Sequence, residues 1–208
     1  MEPDPALSAP ALVILAAGAS TRLGQHKALV DLRGELAIAH LLRAGGALRD
    51  PAPLVITGAD EGAIGRALEA LGDDDPPPPE LVHNPHWSEG RGSGLKLAAS
   101  LRVGRDLCVA PVDCPLVGPQ VFEALAHAWA EAGRPAMGWL GPRLGPDPSA
   151  PHGHPILLGR TLLSKWDGQE SLRDLRQRAL PLLSVAVEDP AILDNLDRPA
   201  DLERLRAR

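Results

Sequence analysis

The sequence predicts an α/β fold, a three-layer α/β/α domain with a mostly parallel central sheet. Two observations predict it. Short and uniformly apolar runs, typical of strands buried on both faces, recur along the first half of the chain. Amphipathic segments of helical length separate these runs, and this alternation predicts right-handed crossovers between parallel strands. Because ligands of such sheets bind beyond the carboxyl ends of the strands, the residues that follow each strand are the candidates for function.

The elements follow one another in a regular order. The apolar runs predict strands at 11–15, 53–57, 81–83 and 107–111. The amphipathic segments predict helices at 37–48, 61–71, 94–102 and 119–131. The last third of the chain adds a short apolar run, two helical patterns, a strand-like segment at 182–187 and a final helix. We expect residues 1–208 to form one domain, with a disordered N-terminus at 1–10 and Pro/Gly-rich loops at 72–80 and 141–153.

Composition and charge narrow the classes of function. The formal net charge of −6 argues against a general nucleic-acid or anionic-membrane surface. No apolar run approaches the ~20 residues that a membrane-spanning helix needs, and the acidic, proline-rich N-terminus has no signal-type pattern. We therefore expect a cytoplasmic protein without nucleic-acid or membrane partners. The two cysteines, Cys108 and Cys114, fit a reducing compartment and are too few for a zinc site by themselves.

The stretch LAAGASTRLGQHK, residues 15–27, directly follows the first predicted strand. Gly18 and its small neighbours let the backbone approach a ligand closely, and successive N–H groups in such a turn bind anions. Arg22 offers a planar fork suited to phosphate oxygens, and Lys27 offers a point charge. The stretch matches neither GxxxxGK[ST] nor GxGxxG, and the lack of the second pattern disfavours a dinucleotide-binding oxidoreductase. On composition and spacing alone, a phosphate site and an ordinary strand-to-helix turn are equally good interpretations.

Two acidic positions could hold a metal ion. Asp113 falls just past the strand at 107–111, where a carboxylate can hold Mg²⁺ against phosphate oxygens. Alternatively, Asp113 helps to cap the helix that follows Gly118. Near the C-terminus, Asp197 could likewise cap a helix that has Pro199 in its first turn. The residues alone leave these alternatives open.

Several motifs together resemble those of the MobA-like nucleotidyltransferases. The specified positions of LAAG-x-S-x-R-x-G-x-x-K are present as Leu15, Ala16, Ala17, Gly18, Ser20, Arg22, Gly24 and Lys27. The family's D-x-P-L motif is present at 113–116, and the segment 194–202 resembles its terminal D/N-x-D/N-x-P-x-D-L motif. Two further segments resemble the cytidylyltransferase branch: the segment 84–95 follows N-P-x-W-x-x-G-x-G-S, and a G-H-P motif stands at 153–155. The resemblance covers nearly the whole chain and implies a Rossmann-like domain.

The resemblance implies an enzyme that transfers a nucleoside monophosphate from an NTP to a phosphorylated acceptor and releases pyrophosphate. Arg22, Lys27 and Asp113 would be the catalytic residues, with Asp113 holding Mg²⁺. The second metal ligand would be Asn195 or Asp197, and we prefer Asp197. The nucleotide-binding residues that it implies are Leu15, Ala16, Ala17, Gly18, Ser20, Arg22, Lys27, Asn84, Gly92 and Ser93.

The acceptor side of the resemblance rests on fewer residues. His154 and Pro155 would bind the acceptor, whereas the residues alone favour a merely exposed histidine at position 154. The acceptor-side segment at 167–172 lacks the arginine that is usual in the family. In the segment 84–95, which the resemblance assigns to the base and sugar pocket, Gly94 replaces a usual serine and removes a hydroxyl that bears on base selection.

The identity of the NTP and of the acceptor follows from small differences between branches. Ala17, where the GTP-using branch typically has glycine, favours CTP, and the motifs at 84–95 and 153–155 favour the molybdenum cofactor (molybdopterin) cytidylyltransferases. A molybdoenzyme or its chaperone would then be a protein partner. The alternatives are a GTP-using molybdopterin guanylyltransferase, a transferase for a sugar phosphate or another small acceptor, and a non-catalytic nucleotide-binding module.

Overall fold

A computed structural model describes residues 9–70, 78–166 and 171–208. The strands are β1 (Ala11–Ala16), β2 (Asp31–Leu32), β3 (Glu35–Leu36), β4 (Leu54–Thr57), β5 (Glu80–His83), β6 (Leu107–Pro111), β7 (Trp139–Leu144), β8 (Ile156–Leu158) and β9 (Leu182–Val187). The α-helices are α1 (Ala37–Gly45), α2 (Glu61–Glu69), α3 (Arg91–Leu101), α4 (Pro119–Glu131), α5 (Arg160–Ser164), α6 (Leu172–Gln177) and α7 (Pro199–Arg206). Short 3-10 helices occupy Lys27–Leu29, Gly46–Leu48, Trp87–Glu89 and Pro190–Leu193.

Seven strands form one sheet in the order β5–β4–β1–β6–β8–β7–β9, and β2 and β3 form a separate small hairpin. β1 lies between β4 and β6 and is parallel to both. β5 is parallel to β4, and β9 is parallel to β7. β8 runs antiparallel to its two neighbours, β6 and β7. The predicted α/β class with a mostly parallel sheet is confirmed, and the carboxyl ends of β1, β4 and β6 meet at one edge.

Helices cover both faces of the sheet because successive side chains of a strand point to opposite faces. Leu12 and Ile14 of β1 pack in one core with α1 and α4. Ala11 and Val13 of the same strand pack in the other core with α3, α5 and α6. These are the three layers that the sequence predicts.

A third and smaller apolar cluster brings the C-terminus to the loop that follows β1. Leu23 and Val30 come from that part of the chain, and Leu196, Leu202 and Leu205 come from α7 and the segment before it. Burial of these leucines fixes the segment 194–198 beside the carboxyl ends of β1 and β6. Residues far apart in the sequence thereby meet at one edge of the sheet.

Most predicted boundaries agree with the structure to within a residue. The strands predicted at 11–15, 53–57, 81–83, 107–111 and 182–187 are confirmed as β1, β4, β5, β6 and β9. The helix predicted at 119–131 is α4, and the one at 37–48 is α1 followed by a 3-10 turn. The predicted helix at 94–102 begins earlier, at Arg91, so Gly92 and Ser93 lie in its first turn. The helix predicted at 61–71 ends at Glu69, and residue 71 lies outside the described residues.

The Pro/Gly-rich segment at 141–153 is not wholly a loop, and that prediction is wrong for its first four residues. Gly141–Leu144 completes β7, which pairs with β9 along its full length. β8 pairs only with Trp139 and Leu140. Beyond them, residues 151–153 lie beside β7, where the carbonyl of Pro142 accepts the N–H of Gly153 and Arg143 forms an isolated bridge with His152.

Two further predictions on irregular segments lie largely outside the described residues. The N-terminus predicted as disordered at 1–10 is described only from residue 9, and the loop predicted at 72–80 only from residue 78. Glu80, the last residue of that segment, begins β5. No helix in the described ranges is both long enough and apolar enough to cross a bilayer.

Candidate active site

The loop after β1 is organised by Ser20. This residue has a φ of +52°, and its carbonyl accepts the N–H groups of Leu23 and Gly24. Its hydroxyl accepts the N–H of Lys27 at 3.1 Å, which fixes the start of the 3-10 helix. The space beside the α-carbon of Gly18 is open. The loop therefore presents a bare backbone surface to a cleft at the edge of the sheet.

Lys27 links two acidic residues that are far apart in the sequence. Its Nζ atom lies 3.0 Å from Oδ1 of Asp113 and 2.5 Å from Oδ1 of Asp197. The three side chains are largely buried, with exposed fractions of 12%, 12% and 19%. Arg22, whose side chain is 67% exposed, reaches Asp197 at 3.4 Å. The hydrogen bond from Lys27 holds the pKa of Asp197 below its usual value.

Backbone hydrogen bonds hold the two carboxylates together. The N–H of Leu196 donates to the carbonyl of Asp113 at 2.9 Å. One residue further, the thiol of Cys114 donates to the carbonyl of Asp194 at 2.9 Å. The segments that carry Asp113 and Asp197 are therefore bound to each other, so the spacing of the two side chains does not depend on the ion pairs alone.

The alternative interpretations of Asp113 and Asp197 as helix caps are wrong. Gly118 is the residue that directly precedes α4, and its N–H donates to the carboxylate of Asp189, not to that of Asp113. The N–H groups of Asp197 and Arg198 are both bound by the carboxylate of Asp201. Asp113 and Asp197 are thus free of any capping role and direct their carboxylates to Lys27.

Arg91 is a functional candidate that the motifs do not identify. It is the first residue of α3, and its Nη2 atom contacts Oδ2 of Asp113. Lys27 and Arg91 therefore bind opposite oxygens of the same carboxylate. An arginine within the glycine-rich stretch 90–94 was the available signal, but that position is unspecified in the resembling motif.

These residues line one cleft of about 240 Å³. The lining residues come from the ends of β1 and β6, from the start of α3 and from the C-terminal segment. They are Leu15, Ala17, Gly18, Ser20, Thr21, Arg22, Lys27, Trp87, Gly90, Arg91, Gly94, Pro111, Val112, Asp113 and Asp197. Ala16, which also belongs to the predicted nucleotide-binding set, does not line the cleft, because it is a buried residue of β1.

Asn84, Gly92 and Ser93 do not line this cleft. Asn84 is 2% exposed, and its amide donates to the hydroxyl of Ser93 at 2.9 Å and accepts the N–H of His86 at 3.0 Å. The hydroxyl of Ser93 in turn donates to backbone carbonyls of the same turn. Asn84 and Ser93 therefore hold the turn that carries Trp87 into the cleft.

His154 and Pro155 lie near the cleft but outside its lining. Pro155 is buried, and the backbone N–H of His154 donates to the carbonyl of Ile192 at 3.0 Å. The Nδ1 atom of His154 is buried and has no hydrogen-bond partner among the described residues. Burial lowers the pKa of His154 to about 4, and the charge of Arg91 lowers it as well, whereas the charge of Asp113 acts in the opposite direction. The expectation of a merely exposed histidine is wrong, because this imidazole is half-buried and neutral at neutral pH.

The remainder of the acceptor-side prediction concerns the segment 167–172. Residues 167–170 lie outside the described residues. Ser171 caps α6 by accepting the N–H of Asp174, which is a structural role.

The acidic pair fits a divalent cation that is bound together with phosphates. Within the described ranges there is no group of three or more His, Cys, Asp and Glu side chains that could enclose a metal ion. Mg²⁺ in nucleotide enzymes is usually held by one or two carboxylates, with phosphate and water oxygens completing the shell. Asp113 and Asp197, which converge on one Lys27 nitrogen, supply that number of carboxylates.

Similar folds occur among solved structures. Rv0371c from Mycobacterium tuberculosis is 23% identical, with a TM-score of 0.72 over 96% of this chain and 99% of that chain. A second structure of Rv0371c, described as a complex with manganese, is 21% identical over 97% and 99% of the two chains, with a TM-score of 0.69. Molybdopterin-guanine dinucleotide biosynthesis protein A from Archaeoglobus fulgidus is 21% identical, with a TM-score of 0.62 over 94% and 96% of the chains. CMP:2-keto-3-deoxy-manno-octonic acid synthetase complexed with CTP is 18% identical, with a TM-score of 0.71 over 96% and 98%. At sequence identities of 18–23%, the similarity of these structures to this chain shows a shared fold and nothing more.

The sequence itself shows the family. A search of curated proteins by sequence gives no match. The family model of the MobA-like NTP transferase domain matches residues 12–183, which include the loop after β1, Asp113 and His154. The chain therefore belongs to the MobA-like NTP transferase family and is a nucleotidyltransferase.

Proposed function

We propose that the protein transfers CMP from CTP to a phosphorylated small-molecule acceptor, such as molybdopterin or the molybdenum cofactor, in a reaction that depends on Mg²⁺ and releases pyrophosphate. The observation that carries this proposal is the position of Lys27. Its ammonium group lies between the carboxylates of Asp113 and Asp197, beneath a glycine-rich loop. A triphosphate and a divalent cation need cations and carboxylates in this arrangement.

The phosphate groups are bound by the loop after β1. Arg22 is largely exposed and can turn from Asp197 to the β- and γ-phosphates. Lys27 is held closer to the carboxylates and neutralises charge near the α-phosphate. The open backbone at Gly18 lets the phosphates approach the N–H groups of the loop.

The reaction is an in-line attack by an oxygen of the acceptor phosphate on the α-phosphorus. A new P–O bond forms to the acceptor, the bond to the β-phosphate oxygen breaks, and the electron pair leaves with pyrophosphate. The attacking phosphate is already anionic near neutral pH, so no general base is required. Catalysis then depends on positioning and on neutralisation of charge, not on a covalent nucleophile.

Asp113 and Asp197 hold the cation. Mg²⁺ bound by these carboxylates supplies charge neutralisation at the phosphates. Asp197 is the better second ligand, since it lines the cleft, whereas the amide of Asn195 donates to Oδ2 of Asp197. Asn195 orients the carboxylate in this interpretation.

The choice of CTP rests on Ala17 and on the segment at 84–94. Ala17 lines the cleft beside Trp87 and Gly94, so an aromatic face and small residues bound the space available to the base. The CTP complex of CMP:2-keto-3-deoxy-manno-octonic acid synthetase and the molybdopterin-guanine protein of Archaeoglobus fulgidus share the fold. A GTP-using guanylyltransferase and a sugar-phosphate transferase are the competing assignments. If the acceptor is the molybdenum cofactor, the product passes to a molybdoenzyme or its chaperone.

Pyrophosphate release distinguishes these assignments. The protein is incubated with each of the four NTPs and Mg²⁺, with and without molybdopterin, the molybdenum cofactor or a panel of sugar phosphates. We expect release with CTP that requires molybdopterin or its molybdenum form. A clear preference for GTP would overturn the choice of base, and release with sugar phosphates alone would overturn the acceptor.

A further inference from the structure

Arg91 extends into the cleft from the start of α3. Gly90, with a φ of +101°, turns the chain into the helix at this point. The Arg91 side chain is 57% exposed, whereas the Asp113 carboxylate that it contacts is 12% exposed. The guanidinium therefore reaches from solvent to a largely buried acid, and among the described residues part of its donor fork has no partner.

The cleft holds more positive than negative charge. Arg22, Lys27 and Arg91 face two carboxylates, those of Asp113 and Asp197. Lys27 alone contacts both acids, and Arg22 supports Asp197, so Arg91 is not needed to balance the pair. A surplus cation in a cleft is suited to an additional anion.

Arg91 and the lysine of the phosphate loop contact different oxygens of Asp113. Lys27, which belongs to the loop, takes Oδ1 of Asp113, and Arg91 takes Oδ2. His154 lies close enough to Arg91 and Asp113 for both charges to affect it. Arg91 therefore lies near both Asp113, which it contacts, and His154, which the resemblance assigns to the acceptor.

We propose that Arg91 binds the anionic group of the acceptor and makes the enzyme selective for phosphorylated acceptors over neutral hydroxyl acceptors. This inference rests on the proposed nucleotidyl transfer and extends it to the acceptor side. The guanidinium shares its N–H donors between Asp113 and two oxygens of the incoming phosphate, which a planar fork can bind together. It thereby orients the attacking oxygen towards the α-phosphorus.

The test measures phosphate binding without turnover. The protein is saturated with α,β-methylene-CTP and Mg²⁺, and inorganic phosphate, the smallest mimic of the acceptor group, is titrated by isothermal calorimetry. The variants are Arg91→Met, which removes the charge, and Arg91→Lys, which keeps the charge but not the fork. Arg66→Met, at an exposed position in the last turn of α2, is the matched control.

We expect the wild type and Arg66→Met to bind phosphate equally, and Arg91→Met to bind it about tenfold more weakly or worse. The phosphate affinity of Arg91→Lys should lie between those of the wild type and Arg91→Met. The affinity for α,β-methylene-CTP should change by less than about twofold in all variants, because Arg91 does not serve the nucleotide. Unchanged phosphate binding in Arg91→Met, or no phosphate binding by the wild type, would overturn the inference.

A loss of nucleotide affinity in Arg91→Met would also overturn it, because Arg91 would then bind the NTP. Failure of the proposed function has a different signature. In that case the wild type binds no α,β-methylene-CTP in the first titration, before any phosphate is added.

Discussion

The proposed nucleotide side of the cleft and the proposed acceptor side near it differ in their charged groups. On the nucleotide side, Arg22, Lys27, Asp113 and Asp197 form a chain of ion pairs that joins the two ends of the protein. On the acceptor side, His154 is neutral and its buried Nδ1 atom lacks a partner in the described part of the chain. In the proposed function, the first side binds the highly charged phosphates of the nucleotide, whereas the second binds the acceptor with one imidazole and Arg91.

This contrast assigns substrate specificity to the proposed acceptor side. Triphosphates and divalent cations are common to many reactions, and the charged side of the cleft can serve any of them. If His154 and Arg91 bind the acceptor as proposed, they determine which molecule reacts. Four predictions follow in order of decreasing expected effect, and they test whether the two sides are separate in this way.

Asp113→Asn should have the largest effect. The substitution keeps the side-chain size but removes the charge that faces Lys27, Arg91 and the cation. We expect Mg²⁺-dependent pyrophosphate release to fall by about a thousandfold, with circular dichroism unchanged. The exposed Glu123→Gln on α4 is the control. Near-wild-type release from Asp113→Asn would remove the metal role of this residue.

Asp197→Asn and Asn195→Ala together identify the second metal ligand. Loss of the Asp197 carboxylate should lower pyrophosphate release by about a hundredfold and raise the Mg²⁺ concentration needed for half-maximal activity. Asn195→Ala removes only the hydrogen bond to Asp197 and should lower release by less than about tenfold. The opposite order would assign the ligand to Asn195.

His154→Gln should change how stability depends on pH. A depressed histidine pKa means that the unfolded state binds more protons than the native state between pH 4 and pH 6.5, so the wild type loses stability as pH falls through this range. Gln does not titrate and avoids this loss. Between pH 7 and pH 4.5 the free energy of unfolding of the wild type should fall by about 2 kcal/mol more than that of His154→Gln.

Urea unfolding at the two pH values measures the difference. Parallel pH dependences of the wild type and His154→Gln would show that the pKa of His154 is not lowered in the native state. That result would remove the contrast between the two sides of the cleft.

Asp201→Ala should have the smallest effect. The Asp201 carboxylate binds the N–H groups of Asp197 and Arg198 at the start of α7, so its loss should lower the free energy of unfolding by about 1 kcal/mol. Pyrophosphate release should fall only severalfold, because the apolar cluster around Leu196 still holds the segment. Thermal unfolding measures the change in stability, and the pyrophosphate-release assay measures the change in activity. An activity loss as large as that of Asp197→Asn would show that this hydrogen bonding, not the apolar cluster, positions Asp197.

Much of the fold and of the charged site was predictable from the sequence for simple physical reasons. Strands such as β1 and β6 are buried on both faces, so their apolar runs mark them clearly. The carboxyl ends of parallel strands share one edge, which is why Lys27 and Asp113 could be expected to meet. That Asp197 joins them followed only from the family resemblance, since no local pattern reports a contact between Asp113 and Asp197, which are separated by 83 residues.

Other features depend on tertiary packing and had no local signal. The contact of Arg91 with Asp113 requires that α3 begin at residue 91, whereas the helical pattern begins only at residue 94. Asn84 turns inward to hold a backbone turn, although the motif alone indicates a ligand contact. β7 passes through Gly141 and Pro142 because β9 supplies a full ladder on one side, which no local propensity reveals. The roles of the individual site residues, and the existence of a single domain over 1–208, stay predictions.

We propose that the cleft around Lys27 binds a nucleoside triphosphate together with a divalent cation. Thermal unfolding of the wild type and of Lys27→Met in the presence of each of the four NTPs and Mg²⁺ tests it directly, because a ligand of the native state raises the midpoint temperature. We predict a rise for the wild type that is largest with CTP and that requires both nucleotide and Mg²⁺, and a much smaller rise for Lys27→Met. No rise of the wild-type midpoint with any of the four nucleotides would contradict the account.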